Sequence, residues 1–156
     1  MRETFGTMLV CEDIRYEING KTSLMGIYEN GIFFSKPAPA KLSKICFAAN
    51  IWISSQYEVG LLKVVAQIED GQRNISNISS TEIEVNHTPS EEEPEESFLN
   101  YYAHLTAYNV TFDGNSRLLL RAYFDDETVR CGTVQVNFPE QQLESESEAV
   151  HPERDA

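Results

Sequence analysis

Alternation of apolar and polar residues at period two, punctuated by turn residues, runs through this chain from Thr7 to Phe138. That pattern constrains the fold more than any other feature. A period of two places successive side chains on opposite faces, which suits a half-buried strand and not a helix. The clearest instance is Leu61 to Glu69, where Leu62, Val64, Ala66 and Ile68 fall on one face and Lys63 and Gln67 on the other. Arg117 to Phe124 repeats it with Leu118, Leu120, Ala122 and Phe124, and Thr128 to Phe138 with Val134, Val136 and Phe138.

The breaks between these runs are turn-formers. Asn19-Gly20 is a strong hairpin signal between Thr7–Arg15 and Lys21–Tyr28, because both residues accept positive φ. Glu29-Asn30-Gly31 leads into Ile32-Phe33-Phe34, and Lys36-Pro37-Ala38-Pro39 reads as a stiff loop, since each proline fixes φ and removes a donor. Ile45 to Ile53 is a strand carrying the single Trp52. Asp70-Gly71, Asp113-Gly114-Asn115-Ser116 and Asp125-Asp126-Glu127 are further turns. In Ile75 to Asn86, Glu82 and Glu84 are expected to face water, with Ile83 and Val85 packed on the sheet.

Only Ser97 to Phe112 reads two ways. Phe98, Tyr101, Leu105 and Tyr108 fit a helical stripe with Ser97 as N-cap. The Tyr, Thr and Val content favours strand, which is the reading adopted. The sum is an all-β antiparallel sandwich of about seven to eight strands, immunoglobulin-like or C2-like, over residues 1–138. No βαβ unit appears.

Charge is concentrated. The 156 residues carry a formal net charge of −13. Glu91, Glu92, Glu93, Glu95 and Glu96 contribute −5, and residues 139–156, with six acidic residues and Arg154, another −5. Solvated disorder is the expectation for the acidic loop 87–96 and the acidic tail 139–156, because like charges repel and little is available to bury. The remainder is close to neutral. Nucleic acid is not an expected partner, since phosphate binding needs a surplus of Lys and Arg. No apolar run approaches the roughly 18–20 residues of a membrane span. No secretion signal is visible at Met1-Arg2-Glu3-Thr4.

Cys11, Cys46 and Cys131 form no C-x-x-C pair, and their odd number points to reduced thiols in the cytoplasm. Each reads as a small buried hydrophobe. The sequons at Asn74, Asn77, Asn86 and Asn109 are then chance matches.

The N-terminal third carries a resemblance. Leu9-Val10-Cys11-Glu12-Asp13-Ile14-Arg15, Asn19-Gly20-Lys21 and Ser23-Leu24-Met25-Gly26-Ile27-Tyr28 resemble a family of short bacterial proteins known only as a domain of unknown function. Arg121-Ala122-Tyr123-Phe124-Asp125-Asp126 and Val134-Gln135-Val136 resemble its closing strands more loosely. The resemblance implies a compact β fold and no mechanism. Gly26, inside a strand, implies a bulge or a close backbone approach.

No catalytic motif is present: no nucleophile elbow, Walker loop or H-E-x-x-H. His104 is the one histidine in a clearly folded segment, and no spacing pairs it with a nucleophile. The chain is not expected to be an enzyme, and no cofactor is implied. Two sets of residues are candidates for binding. Glu12 and Asp13 have Arg15, Lys21 or a later arginine such as Arg121 or Arg130 as potential partners, with a binding site around Asp13 and Arg15 as one reading, and Asp70, Asp113, Asp125 and Asp126 would bind Ca²⁺ if their turns cluster at one end of the sandwich. The expected function is a non-catalytic cytoplasmic interaction or assembly module whose partner is a protein or a second copy. The alternatives are a small-ligand or Ca²⁺-binding sandwich and an oligomerising phage or mobile-element structural protein.

Overall fold

The computed structural model describes residues 3–140, so most of the tail, residues 141–156, lies outside the described residues. Among the described residues nine strands are present: β1 (Thr4–Tyr16), β2 (Thr22–Ile27), β3 (Ile32–Phe33), β4 (Ala40–Ser54), β5 (Val59–Glu69), β6 (Ile75–His87), β7 (Phe98–Phe112), β8 (Ser116–Phe124) and β9 (Glu127–Asn137). They form two sheets, ordered β2-β1-β4-β7 and β3-β9-β8-β5-β6. The inner faces bury Phe47, Ile51 and Ile53 of β4 against Leu62 and Val64 of β5 and Leu118, Leu120 and Phe124 of β8. The fold is thus an all-β sandwich, and among the described residues no helix is long and apolar enough to cross a membrane.

Most of the strand reading holds. Leu62, Val64 and Ala66 are fully buried, and Ile83 and Val85 pack on the core while Glu82 and Glu84 face water. Asn19 and Gly20 both take positive φ, at 70° and 73°, as the hairpin reading requires. Residues 98–112 form one long strand. Their alternation is broken because the buried set changes parity, from Ala103, Leu105 and Ala107 to Val110 and Phe112. Asn109, at φ 54°, sits at the change. The paired β4 switches faces opposite it: Ile45 is inward across from Ala107, and Leu42 packs on the core across from Val110. A face switch in both partners keeps the ladder in register while bending the sheet.

Two features depart from the antiparallel expectation. β3 is only two residues long and pairs in parallel with β9, Ile32 beside Val136. It arises because the chain leaves the first sheet after β2, touches the edge of the second, and returns through Lys36–Pro39 to β4. Second, β9 carries a bulge: Leu120 pairs with Gly132 and Arg121 with Arg130, leaving Cys131 as the extra residue.

Gly26 has φ +65°, and a Cβ there would lie 2.8 Å from the Glu12 side chain. Both effects oppose a side chain. Gly26→Ala is expected to destabilise the fold by about 1–2 kcal/mol, read as a lowered midpoint in urea with unchanged slope. An unaltered midpoint would mean that the β1–β2 hairpin relaxes freely at this position.

The acidic connection contains two turns, with Glu93 N–H donating to Ser90 O and Ser97 N–H to Pro94 O. His87 Nε2 lies 3.7 Å from Glu93 Oε2. Residues 139–140 have no regular structure.

Candidate functional site

The first sheet has an outer face that the second sheet does not cover. Cross-strand register assembles it in rows: Phe5, Trp52 and Asn100; Thr7, Asn50 and Tyr102; Leu9, Ala48 and His104; Cys11, Cys46 and Thr106; beyond them Lys44, paired with Tyr108, reaches Asp13 through its side chain. The face divides into two halves. Tyr16 lies five residues beyond Cys11 on β1, yet its hydroxyl is 3.1 Å from His104 Nδ1, which sits in the opposite direction along the sheet. A straight strand would hold the two more than 20 Å apart. The arm made of the end of β1 and β2 is therefore folded across the face. It explains why Cys11 and Cys46, 0% and 1% exposed, are buried although neither belongs to the core between the sheets.

Beneath this arm Cys11 Sγ donates to Asp13 O and Cys46 Sγ to Glu12 O. Burial raises the Cys11 thiol's pKa and pushes that of Cys131 up to about 11. Both stay protonated at neutral pH and behave as packing groups. The adjacency of Cys11 and Cys46 escapes sequence reading because 34 residues lie between the two cysteines in the chain.

Asp13 and Arg15 do come together, at 3.4 Å, and Lys44 joins them. Lys44, then Arg15, holds the Asp13 carboxyl below its usual range. Arg15 is 62% exposed, so the cluster works as a surface clasp between the arm and β4 and adds little to stability. The signal that could have found Lys44 is its place two residues from Cys46, the partner of Cys11; only the pairing reveals it.

The four turn aspartates do not share one place. Antiparallel pairing of Glu69 with Arg117 puts Asp70 and Asp113 at the same end of the sandwich, whereas Asp125 and Asp126 turn the chain at the far end of β8. Among the described residues no group of three or more His, Cys, Asp or Glu is placed to hold a metal ion. Asp70 is already engaged. It accepts from the Gln72 and Asn74 amides at 2.8 Å and from Asn74 Nδ2 at 3.0 Å. These bonds, Asn74's foremost, lower its pKa. A lowered carboxyl pKa contributes stability in full above the usual carboxylate range and loses it as pH falls through the lowered value. Asp70→Ala is expected to melt below the wild type at neutral pH, with the gap closing in acid; a gap independent of pH would refute the assignment.

Asp70 and Asp113 line a cleft of about 860 Å³ between the edges of β6 and β7. Its wall includes Ser116, whose hydroxyl is buried with no hydrogen-bond partner among the described residues. Among the described residues no Lys, Arg or His lines it.

The upper half of the outer face stays open. Phe5 is 46% exposed, Leu9 48%, Phe98 41% and Tyr102 68%. Phe5 stacks on Trp52 with ring centroids 4.9 Å apart, and Phe98 meets Phe5 edge-on at 5.8 Å. Among the described residues no Asp, Glu, Lys or Arg interrupts the rows from Phe5 to Leu9, and His104 closes the last of them. The sequence gives no warning of this patch, because β1 is apolar on both faces and only its pairing decides which one is covered.

Fold and face together define a two-layer β-sandwich with one exposed aromatic sheet surface. Comparison with protein-family models and with curated proteins gives no match.

Proposed function

We propose that this chain is a non-catalytic protein-interaction module of the bacterial cytoplasm, and that it docks its partner on the open half of the β1-β4-β7 face. One observation carries the reading: Phe5, Leu9, Trp52, Phe98 and Tyr102 form a contiguous uncharged patch in a chain of net charge −13. Contiguous apolar surface of this kind marks interaction sites, and aromatic side chains dominate binding energy at interfaces. The resemblance of residues 9–28 to an uncharacterised bacterial family is compatible with this reading and adds no activity to it.

The test is capture from host lysate with quantitative mass spectrometry. A Leu9→Asp/Tyr102→Asp variant is expected to lose a protein that the wild type and Asp113→Ala both retain. Identical captured sets from all three would sink the proposal.

The cleft supports a second reading, a small-ligand domain, because of its volume and the orphaned Ser116 hydroxyl. Ca²⁺ is not the ligand expected there: the melting temperature should be the same in millimolar Ca²⁺ and in chelator. A rise with Ca²⁺ would reverse that expectation, since a ligand binding only the native state raises stability.

A further inference from the structure

We infer that the outer face of the second sheet binds a dianionic phosphate group, free or as a monoester, between Arg121 of β8 and Arg130 of β9. This face belongs to the other sheet from the aromatic patch.

Strand pairing puts both guanidinium groups on one surface. Leu118, Leu120 and Ala122 of β8 and Val129 of β9 point into the core, so Arg121 and Arg130 point outward. They are direct partners across the ladder, next to the bulge at Cys131. Like charges directly opposite one another destabilise a sheet. Neither arginine has a carboxylate to offset this. Among the described residues the ion pairs use Asp13, Glu69 and Glu93, and neither Arg121 nor Arg130 takes part.

Both groups lean toward the same row. Arg121 Nη1 donates to Gln67 Oε1 at 3.3 Å and Arg130 Nη2 to Thr133 Oγ1 at 2.7 Å. Gln67 and Thr133 flank Leu119 in register. Leu119 is 0% exposed although it lies outside the core between the sheets, so the row has an apolar floor. Gln67 is itself held, because its Nε2 donates to Asn77 Oδ1 at 2.8 Å and leaves Oε1 for Arg121. Gln67 and Asn77, with Lys63, Val65 and Tyr123, line a depression of about 230 Å³ beside Arg121. A guanidinium carries five N–H donors, and one neutral acceptor apiece leaves most of them to water or a ligand.

Charge selects the ligand. Lys63 faces Glu82 and Arg117 faces Glu69 across the strands, so these four groups cancel. Arg121 and Arg130 remain, a local excess of two positive charges. The remaining acids of β5, β6, β8, β9 and the β8–β9 turn are Glu84, Asp125, Asp126 and Glu127. They stand three or more residues along the strands from the pair. That is about 10 Å or farther at roughly 3.3 Å per residue, a separation at which salt screens most of their effect. A phosphate monoester carries about −1.5 to −2 charges near neutral pH, which matches the excess where a single carboxylate does not. Guanidinium forks also engage phosphate oxygens in pairs. A nucleic-acid backbone does not fit, because the surplus is confined to one pair in a chain of net charge −13.

Titration of the full chain with inorganic phosphate, at ionic strength held constant with KCl, tests this by calorimetry and thermal melting. The wild type is expected to bind saturably with a dissociation constant on the order of 1 mM, and its melting temperature should rise by a few degrees at ten times that concentration. Arg121→Met and Arg130→Met should each weaken binding at least tenfold, whereas Lys36→Met, on a distant loop, should not. In phosphate-free buffer neither arginine variant should melt below the wild type, because each removes one of two like charges and keeps an apolar stem. If the arginines serve only to cover Leu119, both variants melt lower and phosphate raises all three chains alike, which overturns the inference. A wild type with no saturable response to phosphate overturns it too, as does an equal response to succinate. Glycerol 3-phosphate separates the two sources: tighter binding than inorganic phosphate assigns the site to an ester, and weaker binding assigns it to the free ion.

Discussion

Replacing Gly6 by valine is expected to cost about 2–3 kcal/mol of stability, the upper range of overpacking, and to lower the thermal midpoint by several degrees. Gly6 faces inward on β1 where that strand meets the bulge of β9. A Cβ at Gly6 would lie 2.7 Å from Cys131 Sγ, 3.3 Å from its Cβ and 3.4 Å from its Cα. The sulfur belongs to a buried side chain, 5% exposed, so it has little room to swing away. The neighbouring Gly132 is in similar contact with Met8, at 3.1 Å. The two sheets therefore approach most closely along β1 and β9 because each contributes a glycine there. Gly6→Ala should show a smaller loss, and Cys131→Ala placed in that background should restore part of it by removing the sulfur. If the two substitutions simply add in urea melts, the close approach is not what destabilises the variant.

Arg117→Met should be comparably damaging for an electrostatic reason. Glu69 ends β5 only 8% exposed, and Arg117 Nη2 lies 2.5 Å from its Oε2. Their strands hold them directly opposite each other. Removing the guanidinium leaves a carboxylate buried without its partner, which costs about 3–5 kcal/mol for a fully buried pair. Arg117 is partly exposed, at 39%, and water offsets some of that, so about 2–3 kcal/mol is expected. The double variant Glu69→Leu/Arg117→Met should recover most of the loss, because an apolar pair of similar volume carries no desolvation cost. Equal losses in the single and double variants, measured by urea unfolding, would show that Arg117 acts through the packing of its stem instead.

Both effects depend on which strands lie side by side, and that divides what was legible from what was not. The period-two pattern of Leu62, Val64 and Ala66 and of Leu118, Leu120 and Ala122 determined strands, faces and the all-β class. Asn19-Gly20 determined a hairpin, and Gly26 a bulge or close backbone approach; the structure shows a positive φ there and the Glu12 side chain, not backbone, against it. These are local statements: a side chain's alternation and a residue's accessible φ are properties of a few consecutive residues. The placement of Asp70 and Asp113 together, away from Asp125 and Asp126, follows from strand pairing across the second sheet. The meeting of Asp13 with Lys44, 31 residues later, follows from β1 and β4 lying side by side in the first sheet.

Tertiary structure alone decided the candidate site. Met8 and Val10 on one face of β1, and Leu9 and Cys11 on the other, are equally apolar. A strand with two apolar faces does not say which it buries. Packing against β9 took the face of Gly6, Met8 and Val10. The folded-back arm then covered Cys11 and left Phe5 and Leu9 open beside Trp52 and Tyr102. Exposure of an aromatic surface is a property of the assembled sheets, because it depends on contacts between residues that the chain brings together only after both layers have formed.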